Sequence, residues 1–198
     1  DGHPVTALAD GCFKDDNTLV SVICPDSVKV IGCSAFCGCG YLESITIPAK
    51  LTIIGMYAFQ ECYALKAVEL PQTLELLGRN SFEECISLES IVIPKKIDSI
   101  SYDMFKGCKS LKSVTLTNNI TKIFESAFYG CKALKSITLP SKLTAIEANT
   151  FTRCEALTAV EIPAKVTSIE KNAFSGCYAL QTVTLPKGLA SLGQNAFS

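Results

Sequence analysis

The side chains with the most chemistry in this sequence are thiols: there are eleven cysteines in 198 residues. A thiolate can attack a carbonyl, bind zinc or close a disulfide, and each use needs company. A cysteine nucleophile needs a base, and the only histidine, His3, stands at the start of the chain. A structural zinc site needs paired ligands such as C-x-x-C, and no such pair occurs. Cys39, Cys62, Cys85, Cys108, Cys131, Cys154 and Cys177 instead recur at a spacing of 23. Stacked thiols that point the same way lack disulfide geometry, so this series reads as buried small hydrophobes. Cys12 and Cys24 stand at apolar positions and read the same way. Cys33, Cys37 and Cys39 make a local C-x-x-x-C-x-C cluster. Loosely placed thiols are the plain reading there, and a disulfide or a metal is the alternative. Free thiols suit a reducing setting better than an oxidising exterior.

Other reactive constellations are missing. There is no G-x-G-x-x-G, Walker motif, H-E-x-x-H or nucleophile elbow. Gly38 and Gly40 lie in a loop without phosphate-binding context, and the carboxylates are scattered. An enzyme is therefore not expected, nor is a cofactor or a metal. Eighteen basic residues against 19 acidic, with arginine only at positions 79 and 153, argue against a nucleic-acid partner. A hydrophobic share of 48% excludes a disordered chain. No apolar run approaches the roughly 18–20 residues of a membrane span. The opening residues have no basic n-region or apolar h-region of a signal peptide.

What positions these residues is a repeat of 23. Phenylalanine stands at 13, 36, 59, 82, 105, 128, 151, 174 and 197. Six residues after each comes leucine, from Leu19 to Leu180, and nine after comes Val or Ile. Twelve after comes proline, except at Thr117. Leu42-x-x-Ile45-x-Ile47 has the L-x-x-L-x-L spacing of a leucine-rich repeat. Alternation around Ile45 and Ile47 predicts a short strand that Pro48 ends. Leu51 to Ile54 predicts a second extended piece, and Gly32, Gly55, Gly78 and Gly193 a turn after it. The segment around Ala58-Phe59 predicts a short helical or 3₁₀ turn. Each unit is apolar on one side only, so the units must stack. About eight strands at ~4.8 Å spacing predict a parallel sheet roughly 38 Å long.

The unit A-F-x-x-C-x-x-L-x-x-V-x-I-P-x-x-L-x-x-I-G resembles the BspA-like, or Treponema pallidum-type, leucine-rich repeat family, and residues 172–193 are a close instance. The resemblance covers the whole chain. It implies a right-handed solenoid with a concave parallel sheet and short 3₁₀ or helical turns outside. It also implies a non-enzymatic adhesion or protein-binding module of a cell-surface protein, located at the cell surface or outside the cell. The partner would be a host extracellular-matrix or cell-surface protein. The alternatives are an intracellular, cytoplasmic interaction scaffold, which the free cysteines favour, and a structural spacer carrying another domain. Residues 1–198 read as one solenoid domain that begins and ends mid-repeat. A fragment of a longer protein is expected, with end-to-end self-association as the alternative.

The surface offers few marks. The outward strand rows are small and hydroxylated, Ser44 and Thr46 being typical, with Ile23 and Val92 as apolar departures. Glu43, Lys66, Glu89 and Lys112 alternate in sign between coils, which suits cross-strand pairing. Tyr41, Tyr63 and Ile86 fall four or five residues after phenylalanine on consecutive coils. Neighbouring aromatics are enriched at interfaces, so these three, with Val92, are the candidate ligand-binding residues.

Overall fold

The computed structural model describes residues 3–198. The chain winds as a parallel β-solenoid in which each strand pairing joins residues 23 apart, as in Val30 with Ile53 and Ser21 with Ser44. Each full coil has an extended stretch after the conserved leucine, a corner at the proline, a second extended stretch, and a turn centred on phenylalanine. Ile45 and Ile91 alternate inward between exposed neighbours because strand side chains point to opposite faces. Proline cannot donate to the next ladder bond, but its carbonyl closes a tight turn. Leu51 N–H donates to Pro48 O at 3.0 Å, and equivalent bonds recur from Val28 to Leu189.

The sheets are less continuous than the repeat predicts. The three-residue strands join as Ser21–Ile23 with Ser44–Thr46, Ser90–Val92 with Ser113–Thr115, and Ala159–Glu161 with Thr182–Thr184. Residues 136–138 carry no strand, although their sequence fits the row. The two-residue strands after the corner form segments broken between Leu76–Leu77 and Ser99–Ile100, and between Lys122–Ile123 and Ala145–Ile146.

The expected helical or 3₁₀ segment around phenylalanine is corrected: the stretch is a run of turns and contains no helix. Backbone conformation explains it. Two residues before phenylalanine the chain turns left-handed, as at Asn80 (φ 55°), Asn149 (φ 57°) and Asn172 (φ 57°). Two residues after, it does so again, as at Gly38 (φ 77°) and Gly107 (φ 73°). Right-handed helix cannot pass through such residues. Alternate N–H groups therefore leave the coil and bond to the next one. Ser34, Phe36 and Gly38 donate to the carbonyls of Met56, Ala58 and Gln60 at 2.8–2.9 Å. The same three bonds occur at every junction through to Asn172, Phe174 and Gly176. This turn ladder, rather than either strand ladder, runs unbroken along the described residues.

The core is columnar. Phenylalanine rings stack from Phe13 to Phe197 with centroids 5.1–5.8 Å apart and planes within 14°. Phe36 to Phe174 are essentially fully buried. Such offset pairs add about 0.5–1.5 kcal/mol each beyond the burial of their area.

Candidate binding surface

Tyr63 and Ile86 occupy the same position on adjacent coils, in the turn that leads to the exposed strand. Gly40 holds that position one coil earlier. A Cβ on Gly40 would meet the Tyr63 ring at 3.3 Å, so the ring lies across this glycine. The Tyr63 hydroxyl donates to the Glu61 carboxylate at 2.8 Å, and that acceptor pushes the phenol up to about 12. Tyr41, beside Gly40, is 63% exposed and Tyr63 42%. Ile86 is half-buried, its carbonyl accepting from Ser110 N–H at 3.1 Å. Register thus places Tyr63 and Ile86 on neighbouring coils, with Tyr41 one position past the glycine that the Tyr63 ring covers. Val92 stands apart: it lies six residues past Ile86 on the strand face, 57% exposed. Around it the outward strand side chains are the short hydroxyls and carboxylates of the repeat.

The alternating charged row pairs across coils. Lys66 meets Glu43 at 3.1 Å and Lys112 meets Glu89 at 2.7 Å, and the second contact draws the Glu89 carboxyl below its usual range. Phe124, standing where four other coils carry glycine, is half-buried against Tyr102 at 4.7 Å and lies under Lys122.

The cysteines divide by environment. Each of the seven serial thiols donates to a phenylalanine carbonyl of the preceding coil, from Cys39 to Phe13 O at 3.0 Å through Cys177 to Phe151 O at 3.1 Å. That carbonyl already accepts a backbone N–H in its own turn, so the thiol fills its second lone pair. Burial raises these thiols, Cys39 and Cys177 to about 11 and the inner members further. Cys33, Cys37 and Cys39 do not converge on one centre. Cys39 faces Phe13 O inside, whereas Cys37, half-buried, points its thiol to Gln60 Oε1 at 3.4 Å. From Gln60 a polar chain continues across coils to Glu83 at 2.8 Å and on to Lys106 at 3.0 Å. Among the described residues no group of three or more His, Cys, Asp or Glu side chains is placed to hold a metal. No helix there is long and apolar enough to cross a membrane.

Residues 6–123 and 75–198 match the model of the BspA type leucine rich repeat region, which spans six copies. The chain belongs to the BspA-type leucine-rich repeat family. This family is a repeat scaffold and not a catalytic one. A leucine rich cell surface protein of Faecalibacterium prausnitzii A2-165 is 29% identical, with a TM-score of 0.78 over 98% of this chain and 62% of that one. The T. pallidum leucine rich repeat protein is 31% identical, with a TM-score of 0.63 over 91% of this chain and 74% of that one. The pneumococcal vaccine antigen PcpA, at 21% identity and a TM-score of 0.58, shares the fold. The chain thus spans less than two thirds of the F. prausnitzii protein's length. No curated protein matches it in sequence.

Two features escape the motif reading. The left-handed pair flanking each phenylalanine is signalled by asparagine before it (Asn80, Asn149, Asn172, Asn195) and glycine after it (Gly38, Gly107, Gly130, Gly176). The lysines at the proline corner fall in the same 23-residue register, one or two residues after the proline.

Proposed function

We propose that this solenoid is a non-enzymatic protein-binding or adhesion module of a cell-surface protein, held in a longer chain as one repeat domain. The observation that carries the reading is the exposed aromatic pair Tyr41 and Tyr63, continued by Ile86, beside a strand face whose outward residues are mostly short and hydroxylated. Rigid amphipathic rings contribute contact area at low conformational cost, which is why they recur at interfaces. The adjoining strand face with Val92 is the concave side in this reading and supplies the remaining contact. The F. prausnitzii relative is a cell surface protein, which supports the location. The seven serial thiols do not count against an oxidising exterior, because buried thiols are poor substrates for oxidation; Cys12, Cys33 and Cys37 are more accessible.

The test is binding of the chain to an array of immobilised extracellular-matrix and host-surface proteins, with Tyr41, Tyr63 and Ile86 changed together to Ser as the comparison. The reading expects at least one saturable partner and a loss of tenfold or more in the variant, with an unchanged circular dichroism spectrum. Equal binding by the folded variant would remove the aromatic row from the interface. Absence of any partner would favour a spacer.

A further inference from the structure

Charge is not spread evenly along the solenoid. Residues 1–92, the first four repeat lengths, hold 12 acidic and 5 basic side chains, whereas residues 93–198 hold 7 acidic and 13 basic. A near-neutral total therefore conceals an acidic half and a basic half. Within the basic half one edge stands out. The proline corner is a tight turn whose two central residues project at its tip, because the proline carbonyl accepts the N–H three residues on. Those tips carry Lys95 and Lys96, Lys142, Lys165 and Lys187, all exposed. Lysines on other faces are mostly neutralised by a carboxylate across the coil junction, as Lys66, Lys106, Lys112, Lys122 and Lys132 are. At the corner only Lys96 has such a partner, Glu75 at 2.6 Å; the other four have none among the described residues.

The stripe also has a floor. Between the corners at Lys142 and Lys165 lies an open groove of about 670 Å³, lined by Thr138, Ser141, Lys142, Glu161 and Lys165. Its polar groups are two ammonium ions, two hydroxyls and one carboxylate, and no aromatic ring lines it. Lys142, Lys165 and Lys187 stand at the corners of three successive coils, with Asn118 and Asn119 at the corner between them and Lys96, and form a linear array of positive charge. Such an array suits a linear polyanion, whose bound counterions are released on contact. Hydroxyls and a carboxylate beside the ammonium ions suit sugar hydroxyls. Unstacked bases would need aromatic or arginine platforms, which the groove lacks, and a bilayer would need protruding apolar side chains to insert, whereas the groove's Ile137 and Leu139 are buried.

We infer that the proline-corner edge from Lys95 to Lys187 binds a linear, sulfated or phosphorylated polysaccharide, on an edge that borders the strand face and is distinct from the Tyr41, Tyr63 and Ile86 row. The probe is fluorescein-labelled dextran sulfate, titrated with the full chain by fluorescence anisotropy at several salt concentrations. Neutral dextran, a single-stranded oligonucleotide and anionic phosphatidylserine vesicles are the parallel arms. Two charge-matched variants decide the location: Lys142→Gln, Lys165→Gln and Lys187→Gln together, and Lys66→Gln, Lys112→Gln and Lys132→Gln together. Their thermal unfolding is recorded to confirm the fold. The inference expects salt-sensitive binding of dextran sulfate and none of neutral dextran. It expects the corner variant to bind tenfold or more weakly, with a shallower salt dependence because fewer counterions are released. The matched variant should stay within twofold. Equal weakening in both variants would show a net-charge effect and overturn the assignment. So would tighter binding to the oligonucleotide or to vesicles, or no binding of dextran sulfate. The aromatic-row variant should bind dextran sulfate unchanged, which separates failure of this inference from failure of the protein-binding reading.

Discussion

At the residue scale, the repeat shows which side chains are structural by letting one position be compared across coils. The position before phenylalanine holds Ala35, Ala58, Ala127 and Ala173 in the core, but Ser81 and Thr150 in two coils. Both hydroxyls are buried, and they differ in outcome. Thr150 donates to Glu147 O at 2.7 Å, whereas the Ser81 hydroxyl has no partner. A buried hydroxyl without a partner costs about 1–3 kcal/mol. Ser81→Ala should therefore raise stability by about 1 kcal/mol, read as a higher urea midpoint at unchanged slope, while Thr150→Ala should lower it. A destabilising Ser81→Ala would mean that the hydroxyl finds a partner in solution. The cysteine series follows the same logic: sulfur fits a small apolar slot and also satisfies a carbonyl. That makes it a structural ladder, although the sequence first presents it as reactive chemistry.

At the element scale, the glycines after the second strand set how closely coils approach. A Cβ on Gly55 would lie 2.6 Å from the Cys33 nitrogen, and one on Gly78 would lie 2.5 Å from the Met56 nitrogen. Where Gly32, Gly55, Gly78 and Gly193 follow the strand, its pairing with the preceding coil is intact. The two breaks in this sheet fall where Ser101 and Glu147 take the glycine's place. Phe124 and Glu170 keep their pairing despite a side chain, so glycine permits the close approach without being its sole condition. Gly55→Ala should cost about 2–3 kcal/mol, because rigid backbone must move to admit the methyl. Gly188→Ala, with nothing within 4 Å, should change stability by less than about 0.5 kcal/mol. Chemical denaturation of the two variants checks the contrast, and equal effects would sink the close-approach account.

At the scale of the whole molecule, the thiol column links stability to pH. Burial raises the folded-state pKa of the serial cysteines above that of an unfolded thiol, near 8.5. Below that value both states are protonated and the stabilisation is fully present. As pH rises, unfolded chains lose thiol protons first, so stability falls through the range up to about 11 where Cys39 and Cys177 ionise. Under reducing conditions the urea midpoint should drop between pH 8 and pH 10.5. A variant with Ala at Cys62, Cys85, Cys108 and Cys131 should show a shallower drop. An identical drop in that variant would place the alkaline sensitivity elsewhere, for instance on Lys106, whose ammonium is favoured by Glu83.

The period of 23 by itself determined the architecture. Leucine, proline and phenylalanine at constant offsets state which side chains face inward, where each strand ends and that coils must stack to cover them. The candidate row of Tyr41, Tyr63 and Ile86 was legible for the same reason, since register alone places 63 and 86 on neighbouring coils. Only the tertiary structure decided how the coils are joined. Helical and left-handed turns have similar apolar patterns, and the choice between them rests on backbone angles and on bonds to a neighbour 22 residues onward, which no local window contains. The same holds for charge. Composition reports a near-neutral chain, but stacking sorts its lysines into those that face a carboxylate on the next coil and those left exposed along one edge. Coulomb interactions follow distance in space, and distance in space is what the winding of the chain creates.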